Sequence, residues 1–379
     1  MREKSRIRVL HVGPLPPPWS GIGVSLQHLL ESAPIKSQSN WVINTAPNAL
    51  PGDPDRPKLP TPGRLVRHLR LAVRVMRTAR QNQVHVVHFH GSSHDLSFFG
   101  NWLSIVGAKL VGTRVVWHLH EDLQVVQFPG NGFLTRALFS TLMLIPDVLV
   151  VLTDKSMQVA VALVAPHRVL VIPPTCSPEM ITLPLDKEDD RISILYVGWL
   201  TQAKGIYDLL RVADAVREST PEITFHVLGV GMSEEETDRM HTLVEQRNLQ
   251  CQVKLHGVVT GEAKRRMFAR ANIFFTPTRW DAFPVSILEA MAAGLPVLGT
   301  NVGGLPVMLE NCRGAFLTNV GDVTQMTDYL LELAGSRTLR LDMGRANRER
   351  FMACYHPDKV GKVAVDVYAR LVNGTHDWD

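Results

Sequence analysis

Two short runs of β-branched and aliphatic residues, each ending in a glycine, divide the chain into two similar halves. The first run covers residues 7–13 and the second covers residues 192–198. A turn and then a helical pattern follow each run, which is how a parallel α/β unit begins. Strands and helices go on alternating after both runs, and this pattern is typical of parallel sheets covered by helices on both faces. The sequence therefore predicts two doubly wound domains.

Further strand candidates fix the extent of the two domains. They are residues 84–88, 115–119, 148–152 and 169–172, followed by residues 224–228, 253–255, 273–275 and 296–299. The polar, acidic segment 185–191 precedes the second run and is interpreted as the linker. We therefore expect an N-terminal domain over residues 1–185, a C-terminal domain over residues 186–355, and a C-terminal helix within residues 356–379 that packs back toward the first domain. Because open parallel sheets bind ligands outside the carboxyl ends of their strands, the functional site is expected in a cleft between the domains.

The charge of the chain is divided unevenly between the halves. Residues 1–185 contain 18 Lys and Arg against 10 Asp and Glu, whereas residues 186–379 contain 22 against 26. The net charges are therefore +8 and −4, so we expect the first half to contact an anionic group. Nothing in this pattern indicates a nucleic-acid partner.

The location of the protein is also predicted from its sequence. The longest apolar stretch, residues 137–152, contains a proline and is shorter than the roughly 18 to 20 residues that span a bilayer. The first residues lack a cleavage site of the signal-peptide kind. The four cysteines are widely spaced, without the pairs of a zinc site or the density of a disulfide scaffold. We therefore expect a cytoplasmic protein with reduced thiols.

The most informative segment covers residues 276–306. Within it, Asp281 and Glu289 are separated by seven residues and bracket a loop that should become a helix near Val285. A carboxylate such as Glu289 can accept both hydroxyls of a ribose. The backbone amides of Ala282, Phe283 and Val285, at the helix start, suit phosphate or sugar oxygens. A surface acidic pair on an amphipathic helix is the alternative interpretation of the same residues.

This segment resembles the two-carboxylate block of the retaining glycosyltransferases with the GT-B fold, family four, also called glycosyl transferases group 1. Other motifs of that family occur in order along nearly the whole chain, at residues 13–23, 86–90, 116–120, 172–174, 196–205, 227–231 and 255–257. The resemblance implies a GT-B fold of two Rossmann-like domains, with the acceptor on the first domain and a nucleotide-diphosphate sugar on the second. It also implies transfer with retention of the anomeric configuration and no cofactor or divalent metal.

The resemblance assigns roles to individual residues. Lys204 matches the lysine that neutralises the donor diphosphate, His120 matches the residue that contacts the donor sugar, and Asp281 is interpreted as a ligand of a sugar hydroxyl; these three are the predicted catalytic residues. Most relatives have arginine in place of Trp199 and glutamate in place of Asp281. The predicted donor-binding residues are Gly21, Gly23, Gly198, Lys204, Val258, Ala282, Phe283, Pro284 and Glu289.

Two residue groups in the first half have alternative interpretations. The glycines at 21 and 23 precede a helix expected to begin near Val24, where backbone amides could approach an anion, or they form a plain tight turn. His88, His90, His118 and His120 lie two by two on extended strands. Four imidazoles can bind zinc, but no carboxylate or cysteine clearly completes the set, so no metal site is expected.

A basic helix in the first half suggests a membrane surface. Arg67, Arg70, Arg74 and Arg77 form one stripe at helical spacing, and Leu65, Leu69, Ala72, Val73 and Met76 form an apolar stripe. Such a helix either packs on the core with a solvated charged face or attaches to an anionic membrane. The second interpretation predicts a peripheral protein on the inner face of the membrane.

The predicted activity is therefore transfer of a sugar to a glycan or lipid-linked acceptor, in cell-envelope or exopolysaccharide synthesis. A GT-B-fold epimerase or phosphorylase is an alternative. A catalytically inactive partner subunit is another, motivated by Trp199 and Asp281. The glycine fingerprint of a nicotinamide dehydrogenase is absent after both first strands.

Overall fold

The structure is a computed structural model that describes residues 6–17, 19–46, 62–91, 95–121, 141–187, 191–217, 220 and 222–375. The chain forms two compact units. The first contains the described residues up to Thr175 together with those from Pro357 onward, and the second runs from Cys176 to His356.

Each unit contains a six-stranded parallel sheet. The strands are, in chain order, β1 Arg8–Gly13, β2 Ser39–Asn44, β3 Val86–Gly91, β4 Arg114–Leu119, β5 Val148–Val151, β6 Val169–Val171, β7 Ser193–Val197, β8 Thr224–Leu228, β9 Val253–Leu255, β10 Ile273–Thr276, β11 Val297–Thr300 and β12 Ala315–Thr318. The spatial order is β2-β1-β3-β4-β5-β6 in the first unit and β12-β11-β10-β7-β8-β9 in the second. The prediction of two doubly wound parallel sheets is confirmed.

Helices connect the strands. Within the described residues they are α1 Gly21–Glu31, α2 Ala33–Lys36, α3 Pro62–Gln81, α4 Asp95–Leu110, α5 Asp154–Ala160, α6 Ile206–Val216, α7 Glu234–Gln246, α8 Gly261–Arg270, α9 Val285–Ala292, α10 Leu305–Met308, α11 Val323–Gly335, α12 Arg337–Cys354 and α13 Pro357–Asn373. None of these is both long and apolar enough to cross a bilayer. The predicted helix start at Val285 is confirmed.

Successive residues of a strand point to opposite faces of the sheet, and in the first sheet both faces are covered by a hydrophobic core. Val87 and Phe89 of β3 pack in one core with residues of α3 and α4. Val86, on the other face, packs in a second core with residues of α1, α2 and α13. The C-terminal helix α13 therefore belongs to the first unit, where Tyr368 is fully buried.

Both sheets reverse the direction of strand addition at one point. In the first sheet this point lies between β1 and β3, and in the second it lies between β7 and β10. Loops on the two sides of such a switch point diverge and leave space for a ligand at the carboxyl ends of the strands. The residues that follow β7 and β10 therefore border the place where a ligand is expected.

Candidate active site

The loops after β7 and β10 are in direct contact. The amide of Arg279, after β10, donates to the carbonyl oxygen of Ala203, after β7, at 2.8 Å. Gly205 has a φ of +74°, and a Cβ at this position would overlap with the carbonyl of Pro277. Glycine is therefore required here, both for the left-handed backbone and for the close approach of the two loops.

This contact brings two of the predicted catalytic residues together. Lys204 ends a short 3-10 turn, and its Nζ donates to Oδ2 of Asp281. The other carboxylate oxygen of Asp281, Oδ1, accepts from the amide of Phe283 at 3.2 Å. Both partners of the ion pair are partly exposed, with 28% and 20% of their side chains accessible. Lys204 and Asp281 are thus held at the switch point with charge that solvent or a ligand can reach.

A neighbouring arginine is occupied by a buried carboxylate. Nη2 of Arg279 donates to Oδ2 of Asp208 at 2.8 Å, and Asp208 on α6 is fully buried. Removing Arg279 would leave a buried charge without this partner, which is costly. Arg279 is therefore held by Asp208, which also contacts Arg211 at 3.3 Å. The sequence analysis did not identify Asp208.

Glu289 is paired with a lysine that the sequence analysis also missed. Glu289 lies on α9 and is 4% exposed, and its Oε1 accepts from Nζ of Lys264 on α8 at 2.6 Å. Among the described residues, no hydrogen bond ends on the second oxygen, Oε2. The carboxylate is thus oriented and left with acceptor capacity, which suits a pair of ligand hydroxyls.

The amides before α9 differ from the prediction in one respect. Pro284 is the N-cap of α9 and has no N–H, so Val285 supplies the first helical amide. The amide of Phe283 already donates to Asp281 and is not available to a ligand. Ala282 and Phe283 are nearly buried. The amide of Phe283 therefore drops out of the predicted set of anion-binding amides.

Gly198 and Val258 lie at the same edge of the second sheet. Gly198 directly follows β7, and Val258 lies beyond β9 with an exposed side chain. A Cβ at Gly229 would overlap with the carbonyl of Gly198, so the loops after β7 and β8 also approach closely. Gly198, Lys204, Val258 and residues 282–284 thus follow the carboxyl ends of strands, whereas Glu289 lies within α9.

The glycine segment of the first unit is part of a helix. α1 begins at Gly21, not near Val24, because Ser20 is its N-cap and its Oγ accepts from the amide of Gly23 at 3.1 Å. N-capping by serine fixes the start of a helix despite the low helix propensity of glycine. The amide of Gly23 is therefore occupied, which contradicts the expectation that it is free for an anion.

The histidines of the first unit form a buried row. His88 and His90 on β3 and His118 on β4 are almost inaccessible, and His120 follows β4 in a half-buried position. Burial lowers the pKa of His118 to about 3 and the pKa values of His88, His90 and His120 well below the usual range. These side chains are neutral near pH 7. The role of His120 toward a donor sugar stays a prediction.

The basic stripe lies on α3, and its arginines are exposed. The buried stripe of that helix is Ala72, Val75 and Ala79. Leu65, Leu69 and Val73, which we had predicted to share an apolar stripe with Ala72 and Met76, are instead 57%, 47% and 44% exposed. The apolar residues of α3 are therefore divided between the core and the surface.

Comparison with known proteins identifies the class of this protein. Over 302 residues it is 28% identical to the phosphatidylinositol N-acetylglucosaminyltransferase GPI3 subunit of Saccharomyces cerevisiae (strain YJM789), covering 77% of this chain and 64% of the yeast protein. It therefore spans just under two thirds of that relative. Its fold matches a glycosyltransferase from Rickettsia africae ESF-5 with a TM-score of 0.75 and 16% identity, over 98% of this chain and 100% of the other. It also matches Anabaena HepE in complex with UDP and glucose, with a TM-score of 0.74 and 13% identity, over 96% and 100%.

The fold is therefore that of the GT-B glycosyltransferases. Residues 183–350 match the family described as Glycosyl transferases group 1, so the chain carries a glycosyltransferase domain of that family. The matched segment contains the switch point of the second sheet with Lys204, Asp281 and Glu289. The predicted fold is confirmed, and the match over residues 183–350 agrees with the family that the sequence motifs predicted.

Proposed function

We propose that this protein is a retaining glycosyltransferase that binds a nucleotide-diphosphate sugar on its second unit and transfers the sugar to a lipid-linked acceptor. The observation that carries the proposal is the pairing of Lys204 with Asp281 at the switch point, with Glu289 on the helix that follows. In this arrangement one cation can meet the diphosphate, and Glu289 can hold the ribose hydroxyls. Asp281 can bind a hydroxyl of the sugar.

The ion pair suggests how the donor is received. Without donor, Asp281 neutralises Lys204 in a partly exposed position. An entering diphosphate offers Lys204 more negative charge than one carboxylate does, so Lys204 can exchange its partner. Asp281 then becomes free to accept from a sugar hydroxyl. Donor binding would thus separate the two side chains, so that Lys204 contacts the diphosphate and Asp281 contacts a sugar hydroxyl.

The chemical step needs stabilisation of the leaving group. As the glycosidic bond breaks, positive charge grows on the sugar ring and negative charge grows on the diphosphate. Lys204 and the first helical amide of α9 offset the second charge. Attack from the same face, with the leaving phosphate accepting the acceptor's proton, would retain the anomeric configuration. This proposal requires no divalent metal for the transfer itself.

Sugar transfer is tested directly with the purified protein. We expect release of nucleoside diphosphate from one member of a panel of UDP and GDP sugars, beginning with UDP-N-acetylglucosamine because the yeast relative's name specifies that sugar. Acceptors are bacterial lipid extracts and phosphatidylinositol, and the anomeric configuration of the product is read by NMR. Absence of both nucleotide release and thermal stabilisation by any donor would favour the inactive partner subunit. An inverted product would refute retention.

The acceptor is proposed to lie in or on an anionic membrane because of the surface of α3. This helix contains six arginines and no acidic residue. Its surface presents Arg70, Arg74 and Arg77 next to Val66, Leu69 and Val73, which together line one shallow groove. A helix that exposes apolar side chains among arginines is suited to the interface of an anionic bilayer. A solvated charged face alone would not explain the exposed valines and leucine.

Replacement of Arg67, Arg70, Arg74 and Arg77 by glutamine is expected to release the protein from anionic vesicles. Each basic residue near such a surface contributes about 1 kcal/mol, so partitioning should fall at least 100-fold. Co-sedimentation with phosphatidylglycerol vesicles at 0.1 M and 1 M salt measures this, because the Debye length falls from about 10 Å to about 3 Å.

A matched control removes the same charge elsewhere. Arg239, Arg266, Arg270 and Arg345 are exposed on the second unit, and their replacement by glutamine should leave sedimentation unchanged. Hydrolysis of soluble donor should survive in both variants. If the unmodified protein does not sediment at low salt, the helix has a solvated face only and a soluble glycan acceptor becomes the better proposal.

A further inference from the structure

Four buried histidines, His11, His88, His90 and His118, lie next to one another on one face of the first sheet. His11 on β1 is in register with His88 on β3, and His90 on β3 is in register with His118 on β4. One nitrogen from each of His11, His88 and His90 lies within 4.8 Å of the other two. The ring centroids of His88 and His90 are 4.0 Å apart. The parallel register thus gathers side chains that are far apart in sequence.

The hydrogen bonds of Asn40 fix the tautomer of His11. Nδ2 of Asn40 donates to the carbonyl oxygens of Ile35 and Gln38, at 2.6 and 3.2 Å. Its Oδ1 therefore faces Nε2 of His11, at 3.3 Å, as an acceptor. Nε2 of His11 must carry the hydrogen, and Nδ1 is left with a bare lone pair.

The other rings are also anchored through one nitrogen each. Nε2 of His118 lies 3.0 Å from the carbonyl oxygen of Ile172 and must donate to it. Nδ1 of His88 contacts the hydroxyl of Tyr368 at 2.6 Å, and Nδ1 of His90 lies 3.3 Å from a ring nitrogen of His120. A metal-bound histidine is held in the same way, because its second nitrogen is fixed by an outer partner.

The remaining nitrogens have no partner. Nδ1 of His11 and His118 and Nε2 of His88 and His90 are buried, and none of the described residues hydrogen-bonds to them. Leaving several buried polar atoms unsatisfied is costly. A proton would satisfy one lone pair but would bury a charge, which is costly. A metal cation can satisfy several lone pairs at once.

We propose that His11, His88 and His90 form a binding site for a divalent transition-metal ion, with Zn²⁺ as the best match. Three neutral imidazoles with one open position are a known ligand set for Zn²⁺. His118, whose ring centroid is 5.4 Å from that of His90, belongs instead to a neighbouring group of three with His90 and His120. This revises the expectation of no metal, which rested on the missing carboxylate or cysteine and had not included His11. The argument for this site does not use the proposed sugar transfer, but His90 contacts His120, the residue predicted to meet the donor sugar.

Metal stoichiometry in the full-length protein, without a histidine tag, tests this proposal. After dialysis against a chelator and then equilibration with Zn²⁺, we expect one ion per chain by mass spectrometry of the metal content. Co²⁺ in its place should give the ligand-field absorption of a nitrogen-bound tetrahedral ion. Both measurements use the unmodified chain, so they do not depend on whether a variant folds. A chain that takes up neither ion would overturn the proposal.

Variants locate the ion. The double replacement His11→Gln and His88→Gln should abolish stoichiometric binding. Tyr368→Phe, which keeps the ring, should weaken it about 10- to 100-fold through the lost outer partner. The control is the exposed pair His226 and His256, whose ring nitrogens are 3.0 Å apart on the second unit. If His226→Gln with His256→Gln removes the ion while the first double variant keeps it, the assignment is wrong.

Discussion

Replacement of Lys204 by alanine is expected to lower kcat by about 100- to 1000-fold, the usual cost of removing one group that stabilises transition-state charge. Donor affinity should change by less than tenfold, because charge on the diphosphate increases toward the transition state and the lysine acts most strongly there. The measurement is kcat from nucleoside diphosphate release, together with the donor Kd from calorimetry. The comparison of the two separates a catalytic cation from a simple binding contact.

Two further variants sharpen this test. Lys254 is an exposed lysine of the same unit whose Nζ donates to the carbonyl of Gln250, so Lys254→Ala should leave kcat unchanged. Asp281→Asn keeps the shape of the ion-pair partner but removes its charge, and it should weaken sugar binding while Lys204 remains able to meet the phosphate. Equal turnover of Lys204→Ala and the unmodified protein would refute the phosphate role.

The sequence predicted the central strands well because these are buried on both faces and consist of continuous apolar runs. Of the four edge strands, β2, β6, β9 and β12, two were missed, β2 and β12. β2 has the sequence Ser-Asn-Trp-Val-Ile-Asn, in which Ile43 alone is fully buried, so its apolar signal is weak. β12 is only four residues long, and a single residue of it, Thr318, is buried. An edge strand pairs on one side, and its composition is less constrained.

The site residues were predicted singly, but their partners were not. Lys204 and Asp281 were each identified from a motif, whereas their ion pair results from the adjacency of β7 and β10 in the sheet. Neither Lys264 nor Asp208 belongs to a sequence motif that would have indicated its ion-pair partner. Lys264 lies 25 residues before Glu289, and Asp208 lies 71 residues before Arg279. Such partners depend on which helices pack beside a strand end, and sequence spacing does not encode this.

The start of α1 shows a local signal that could have been used. Serine is a preferred N-cap, and Ser20 stands directly before the first helical residue. The two glycines that follow it lowered the apparent helix propensity and moved the predicted start by three residues. The same Ser20 explains why the amide of Gly23 is occupied, so the error in the helix start and the error in the anion site have one cause.

The strongest effect on donor binding is expected from Glu289. Glu289→Gln keeps the size of the side chain but removes its charge, and each hydrogen bond to a charged group contributes about 1.5 to 3 kcal/mol. Loss of the charged acceptor should therefore weaken donor binding at least tenfold. The variant also leaves Lys264 without its anionic partner in a site where Glu289 is 4% exposed, so a moderate loss of stability is expected as well. Thermal unfolding measures that loss, and calorimetry measures the donor Kd.

The double variant Lys264→Met with Glu289→Gln separates these two effects. It removes the unpaired cation, so stability should recover while donor affinity stays low, because the ribose acceptor is still missing. The matched control is Glu262→Gln on the same helix as Lys264, where the carboxylate is 58% exposed and pairs with Arg265 and Arg266. That change should alter neither quantity. If Glu289→Gln is folded and binds the donor as tightly as the unmodified protein, Glu289 does not hold the ribose, and the pair with Lys264 is a structural contact between α8 and α9.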